Sequence, residues 1–542
     1  MLKTDSQSHR VIIIGAGPAG LALAIELGHR NIPCLVVERN ERVGYAPRAK
    51  TTHVRTREHM RRWGITEEMC AASPLGLEYP SDVMFVTRLN GYPLAKFENS
   101  FNCSPKKNPL YAEHAQWIPQ YSLEEVMRKH AQSLPGVEIR FNCEYLSFEQ
   151  NESGVCTKFR DINSDSEFIL EADYLVGADG ARSRIRDAIG AVMRGEKGLS
   201  RNYNIIFRAP GLAEAHPHGP GVMYWQVNSE MPSLIGPMDK DDKWFFMPTK
   251  LGEGVTFTDA EAVAAIRLST GIDLAYEILS SDEWTVNSLI ADRYRQGRVF
   301  LTGDACHLHP PFGGFGMFLG ILDSIDLGWK IAAVLNKRGG LGLLDTYEIE
   351  RNSVHKYVVA EAVANHQVLS GQLAQKGLED EGEVGDRVRA VVGEAIKIKK
   401  QAEFNSLGVV LGYRYEKSPI IIGDGSAFPP QHPSVYTPSA CPGCRAPHAW
   451  MEDGSSLYDH FGDEFTLLLG CQVDSQLVAL AKSQAIEAGV VLKVLKLDCP
   501  EIDTLYAADF TLIRPDQHVA WRGNVWPEQA VQVLLQIAGY EY

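Results

Sequence analysis

Apolar residues along the chain fall into short runs that repeatedly end on glycine or aspartate. Val11 to Ile14 is a β-branched run fit for a strand buried on both faces. Gly15-Ala16-Gly17-Pro18-Ala19-Gly20 follows, then a helical stretch to His29, then a strand from Cys34 to Val37 that ends in Glu38. A glycine-rich turn between strand and helix, with an acid closing the next strand, is the fingerprint of dinucleotide binding. Gly15 permits the tight turn, Gly17 lets backbone approach a pyrophosphate, and Gly20 lets helix pack on strand. The helix opening supplies amides and a partial positive charge for phosphates. Glu38 can accept hydrogen bonds from an adenosine ribose.

Two later runs end the same way. In "ADYLVGADGARSRIRDAIG" the strand Tyr174 to Val176 leads into Gly177-Ala178-Asp179-Gly180 and a helix start carrying Arg182, Arg184 and Arg186. In "GDACHLHPPFGGFGM" the strand Arg298 to Thr302 leads into Gly303-Asp304, a Pro310-Pro311 turn, Gly313, Gly314 and Gly316, and a helix from about Met317 to Leu335. A helix cap explains any one of these acids. Together they suggest one sheet whose carboxyl edge gathers a single long ligand. Between the corners, residues 201–290 hold short β-rich runs such as "YNIIFRAP" and "DKWFFMP", which read as an antiparallel sheet. Residues 345–405 read as helical, and a Pro-rich stretch marks a boundary near residue 435. Strands and helices alternate beyond it, a small α/β domain of its own. The expected division is a nucleotide domain in two parts, 1–200 and 291–405, a substrate sheet over 201–290, a linker over 406–435 and a final domain over 436–542.

Composition narrows the partners. A net charge of −15 without a long basic run argues against nucleic acid or an anionic membrane surface. Val11 to Leu27 is apolar, but its glycines, Pro18 and Glu26 argue against a membrane span. Ten scattered cysteines suit reduced thiols, and a cytoplasmic location is expected. Cys441 and Cys444 form a CxxC pair, yet they lie in the Pro-rich stretch and not between a strand and a helix, so they read as structural.

These residues resemble the class A flavoprotein aromatic hydroxylases, the family of para-hydroxybenzoate and phenol hydroxylases. "GAGPAG" with Glu38, "GADGARS" and "GDACHLHPPFGGFGM" match its signatures in order and spacing. Pro47 to Ile65 is similar to its flavin-contacting loop and the following helix, and the tail to the thioredoxin-like domain of its longer members. The implied fold is α/β: a Rossmann-like FAD-binding domain, an antiparallel-sheet substrate domain and a C-terminal thioredoxin-like domain. The implied cofactor is FAD, with NADPH or NADH as electron donor, and the implied partners are a small phenolic substrate and dioxygen, in a possible homodimer.

Residue by residue, the resemblance implies that Asp304 bonds the ribityl chain and that Gly314 and Gly316 pass the flavin ring. Amides of Met317 and Phe318 would face the pyrimidine carbonyl. Arg39 would lie near the adenosine, Arg48 near the pyrophosphate and ring, and Gln120 within reach of the flavin. Asp179 and Gly180 belong to a motif linked to both FAD and NAD(P)H. The Pro311 carbonyl would lie over the ring, Tyr224, Trp225 and Arg208 are candidate substrate contacts on the sheet, and His53 is a candidate base. His307, in a cofactor-loop position, reads as structural. Phe318 departs from the family, which usually has asparagine there, and an aromatic ring at that position would narrow the cavity. The implied chemistry is transfer of one oxygen from a flavin C4a-hydroperoxide to a phenolic ring. Baeyer–Villiger insertion or epoxidation of a polycyclic substrate on the same scaffold stands as the alternative.

Overall fold

The computed structural model of the chain describes residues 3–4, 9–41, 49–249, 256–368, 370–497 and 499–540. Its central sheet has six strands, in the order Arg295–Gln296, Val299–Leu301, Tyr174–Gly177, Val11–Ile14, Cys34–Val37 and Val137–Arg140. All neighbours run parallel except the first pair. The strands Val11–Ile14 and Cys34–Val37 can be apolar throughout because both faces are covered. The helices Pro18–His29 and Phe315–Leu335 lie against each other along it. Strands drawn from residues 143–172 supply Tyr145, Phe159 and Leu170 to the same core.

The second sheet has eight strands: His307–Leu308, Glu277–Ala291, Met193–Arg208, Lys243–Pro248, Ser233–Pro237, Met223–Gln226, Val83–Val86 and Pro93–Phe97. It is antiparallel except where Met223–Gln226 runs alongside Val83–Val86. Two expected boundaries therefore move. The sheet begins at Met193, before residue 201, because Met193–Arg208 and Glu277–Ala291 form one long hairpin pair. It also takes its far edge from Val83 to Phe97, inside the stretch expected to be nucleotide domain. Alternation along these strands divides their side chains: Phe85, Trp225, Val227, Phe245 and Met247 face the main core, while Met84, Tyr224, Trp244 and Phe246 face a separate outer core.

The stretch 406–435 is more than a tether. It contains the helix Leu407–Gly412, and Tyr413 and Tyr415 behind it are buried in the main core. The final domain orders its strands Leu492–Lys496, Phe465–Leu469, Phe510–Ile513 and Val519–Gly523, the first pair parallel and the others antiparallel. Helices Ser475–Glu487, Pro500–Tyr506 and Ala530–Ile537 complete the thioredoxin-like βαβαββα arrangement.

Buried charge ties this domain to the helices Phe315–Leu335 and Gly342–His366 that pack behind the central sheet. Arg514 donates to Glu350 at 2.6 and 2.9 Å and to Asp326 at 3.0 Å, while Lys330 donates to the same two carboxylates at 2.6 and 2.7 Å. Arg445 pairs with Glu58, which also takes Arg55 at 3.1 Å. Among the described residues no helix is long and apolar enough to cross a membrane.

Candidate active site

The corners meet because neighbouring strands end in register. Gly15 N–H donates to Val37 O at 2.8 Å, Ala178 N–H to Ile14 O at 2.8 Å and Thr302 N–H to Gly177 O at 3.0 Å. The glycines then divide their duties. Gly15, at φ +110°, faces the Ala178 carbonyl, and a Cβ on Gly20 would come within 1.9 Å of Gly15 O. A Cβ on Gly17 would meet nothing within 4 Å. That bare backbone at the mouth of the Pro18–His29 helix is the open cradle a pyrophosphate needs. Pro18 and Ala19 form the first turn of that helix, and the Cβ of Ala19 also backs Gly303. Glu38 Oε2 accepts from Ala16 N–H at 3.0 Å and Oε1 from Asn40 N–H at 3.0 Å, which fixes its carboxylate beside the first glycine turn. Arg39 beside it is exposed. Arg48 lies outside the described residues.

Asp179 caps the short helix Arg184–Ala188: it accepts from Arg184 N–H at 2.7 Å and Ile185 N–H at 3.2 Å. Gly180, at φ +78°, stands beside open space. Arg186 reaches from that helix to the carbonyl of Ala305 at 3.5 Å, joining the second corner to the third. At the third corner Asp304 lies in a turn of 3-10 helix, Gly303–Ala305, with its side chain partly exposed. The turn is anchored by Asp323, which accepts from Gly303 N–H at 3.3 Å, His307 Nε2 at 3.1 Å, Arg351 Nε at 2.7 Å and His355 Nε2 at 2.7 Å. Burial alone would raise the Asp323 carboxyl, but His355 and Arg351 beside it hold it well below the usual carboxylate range. Nothing in the sequence marks Asp323, His355 or Arg351, since each sits inside an ordinary helix.

Beyond this turn Pro311 O accepts from Gly314 N–H at 2.9 Å, and Gly314, at φ +70°, opens the helix Phe315–Leu335. No acidic side chain and no side-chain cap occupies that first turn, so the amides of Gly316 and Met317 are left for a ligand. His53 fixes the glycine turn: its Nε2 bonds Gly313 O at 2.9 Å and its ring stacks on Phe315 with centroids 5.5 Å apart. Burial pushes the His53 imidazole down to about 4, and the bond to Gly313 only partly offsets this. It is thus neutral at physiological pH and donates to Gly313, a positioning role. Phe318 is buried between His53 and Tyr413, at centroid distances of 5.6 and 6.2 Å. Its ring packs into the core and does not line an opening. Gln120 starts the helix Gln120–Ser133, with its N–H on Ala49 O at 2.9 Å and its Nε2 donating to Glu124 at 2.7 Å.

Opposite the corner stands the inner face of the large sheet. Trp225 stacks on Phe85 with centroids 5.5 Å apart and lies 5.8 Å from Phe312 of the Pro-Pro turn. Lys400, paired with Glu403 at 2.7 Å, lies 4.4 Å from the Trp225 ring. Of the sheet residues singled out from sequence, only Trp225 takes this face. Tyr224 points to the outer core, where its hydroxyl donates to Gly219 O at 2.5 Å. Arg208 is exposed at a strand end, on Asp242 at 3.2 Å and Glu277 at 3.1 Å. Neither is retained as a substrate contact: adjacent strand positions face opposite ways, and periodicity alone does not say which faces in.

A family model described as an FAD binding domain matches residues 8–362, and one described as the C-terminal domain of aromatic-ring hydroxylases matches residues 439–539. The chain belongs to the FAD-dependent aromatic-ring hydroxylases. Among these hydroxylases, the aklavinone 12-hydroxylase RdmE of Streptomyces purpurascens is 32% identical over 97% of both chains. The 2,4-dichlorophenol 6-monooxygenase of Delftia acidovorans is 31% identical over 96% of this chain and 95% of its own. The structure of the rebeccamycin biosynthetic enzyme RebC with reduced flavin superposes with a TM-score of 0.90 at 32% identity, covering 98% of this chain and 99% of that one. The chain is accordingly an FAD enzyme that uses dioxygen and reduced pyridine nucleotide. The cradle at Gly17, the fixed Glu38 and the uncapped helix at Gly314 are the features of this hydroxylase that fit the cofactor's phosphates, ribose and ring.

Proposed function

We propose that the chain hydroxylates a phenolic ring held between the Gly303–Gly316 corner and the inner face of the eight-stranded sheet. What carries this reading is the aromatic wall of Phe85, Trp225 and Phe245 facing the turn that carries Phe312. Bound FAD supplies hydride acceptance from NAD(P)H and the activation of dioxygen. The chain's own residues do the rest. Ala16, Gly17 and Glu38 hold the nucleotide end, with Asp304 and the Met317 amide along the ring. The neutral His53 keeps the Gly313–Gly314 turn in shape. The aromatic wall orients a flat substrate and excludes water that would divert oxygen to hydrogen peroxide.

The test is turnover of holoenzyme with NADH or NADPH and a panel of phenols under oxygen-18. Substrate should accelerate NAD(P)H oxidation and one labelled oxygen should appear as a ring hydroxyl. A lactone or an epoxide as the labelled product would overturn the phenol reading in favour of ring insertion or epoxidation.

The reading includes a homodimer. Val384, Val391 and Ile398 stand 63, 65 and 78% exposed along the helix Gly382–Phe404, a heptad-spaced apolar stripe that a second copy would cover. Sedimentation should give a dimer for the wild type and a monomer for Val391→Glu.

A further inference from the structure

Lys50 is held by its backbone, and its head lies on an aromatic ring with no carboxylate partner among the described residues. Ile118 N–H donates to Lys50 O at 2.7 Å, and the neighbouring pairs Thr51 with Trp117 and Thr52 with Gln116 fasten the segment to the flavin domain. The side chain crosses towards the large sheet, where Nζ lies 3.7 Å from the centroid of Phe245 on its inner face. The side chain of its neighbour Thr51 stands beside Gly314 of the flavin-ring turn, where a Cβ on that glycine would lie 3.4 Å from it. Lys50 therefore reaches across the gap between the flavin corner and the aromatic wall. Its side chain is half-buried and keeps accessible surface.

No described carboxylate or carbonyl takes a hydrogen bond from this ammonium. The titratable groups nearest along the chain and on the packed segments are spent elsewhere: His53 on Gly313 O and Glu124 on Gln120. Burial with no opposing charge pushes the Lys50 amine down to about 7. A buried cation without an anion is costly unless a ligand supplies one.

We propose that Lys50 is the substrate's acid–base partner: its neutral amine accepts the phenol proton, and the resulting ammonium holds the phenolate in the chamber. The step balances as phenol plus amine giving phenolate plus ammonium, with the O–H bond broken and an N–H bond formed. The phenolate is the more nucleophilic ring, so the same transfer that binds the substrate also activates it. The substrate class follows: an aromatic ring with a free hydroxyl that ionises near neutral pH. This rests on the hydroxylase reading above.

The experiment uses oxidised holoenzyme and 3-nitrophenol, whose phenolate absorbs visibly and which ionises more than one unit above the lysine, so that the amine is neutral at the pH used. At a pH one unit below the free phenol's own pKa, wild type should bind it with the phenolate band. Lys50→Met should bind it as the neutral phenol or lose at least tenfold in affinity. Lys50→Arg, whose charge is fixed and which accepts no proton near neutrality, should still bind the phenolate but lose the rise of kcat/KM near pH 7. In turnover, the wild-type rise of kcat/KM with pH near 7 should vanish in Lys50→Met, with a fall of about a hundredfold. No phenolate band in wild type, or an identical band and pH profile in Lys50→Met, overturns the proposal. Loss of FAD from Lys50→Met also overturns it, since the lysine would then be a cofactor contact. Failure of the parent reading looks different: wild type binds the phenolate but transfers no labelled oxygen to any phenol.

Discussion

Gly17 and Gly20 belong to one six-residue motif, yet their substitutions should fail in different ways. An alanine at Gly17 meets nothing in the protein, so the apoprotein of Gly17→Ala should melt at the wild-type temperature. It would place a methyl where the pyrophosphate lies, and FAD affinity should fall by about tenfold or more, roughly 1.4 kcal/mol. Gly20→Ala drives a Cβ to 1.9 Å from Gly15 O, and this variant should lose more than about 4 kcal/mol of stability before any cofactor is added. Calorimetry of the two apoproteins separates them, and equal melting temperatures would refute the division of duties. Residues of this kind are legible in sequence because backbone geometry dictates their identity. Lys50 carries no such mark: a lysine in a loop reads as a solvated charge until the sheet opposite is in place.

At the scale of the strand, alternation was legible and its phase was not. "MYWQ" plainly offers one aromatic to each side, but only the neighbouring strands decide which side faces the flavin. The consequence is a contrast between adjacent residues. Trp225→Ala should raise KM for substrate at least tenfold and divert electrons to hydrogen peroxide, because it removes the wall that stacks on Phe85. Tyr224→Phe should leave both unchanged and cost about 1 kcal/mol, the bond to Gly219 O. Coupling measured as product formed per oxygen consumed distinguishes them, and the reverse pattern would invert the sheet. The helix Phe315–Leu335 was readable as a helix from its apolar run. Its anchoring through Asp323 was hidden, because His307, Arg351 and His355 converge from distant parts of the chain.

For the whole molecule, buried neutral histidines set the response to acid. Burial holds His53, His309 and His518 down to about 4 and His355 to about 3. Each folded value lies below the free value of about 6.5, so the unfolded chain takes up protons first. Stability present above pH 6.5 should therefore drain away as pH falls towards 4, by on the order of 3 kcal/mol for each fully buried ring. Urea midpoints at pH 7, 6 and 5 should fall in that order, and a flat series would contradict it. The same molecule depends on its tail. A fragment ending at residue 435 lacks Arg445 and Arg514, leaving Asp326 and Glu350 to share Lys330 alone. Removing one partner from such a pair costs about 3–5 kcal/mol, so the fragment should fail to retain FAD. A yellow, soluble fragment would show that the domains are independent. The Arg514 contacts also bear on how the protein is made. A chain leaving the ribosome exposes Asp326 and Glu350 well before Arg514 emerges, so this cluster of charges closes only once the final domain has been made.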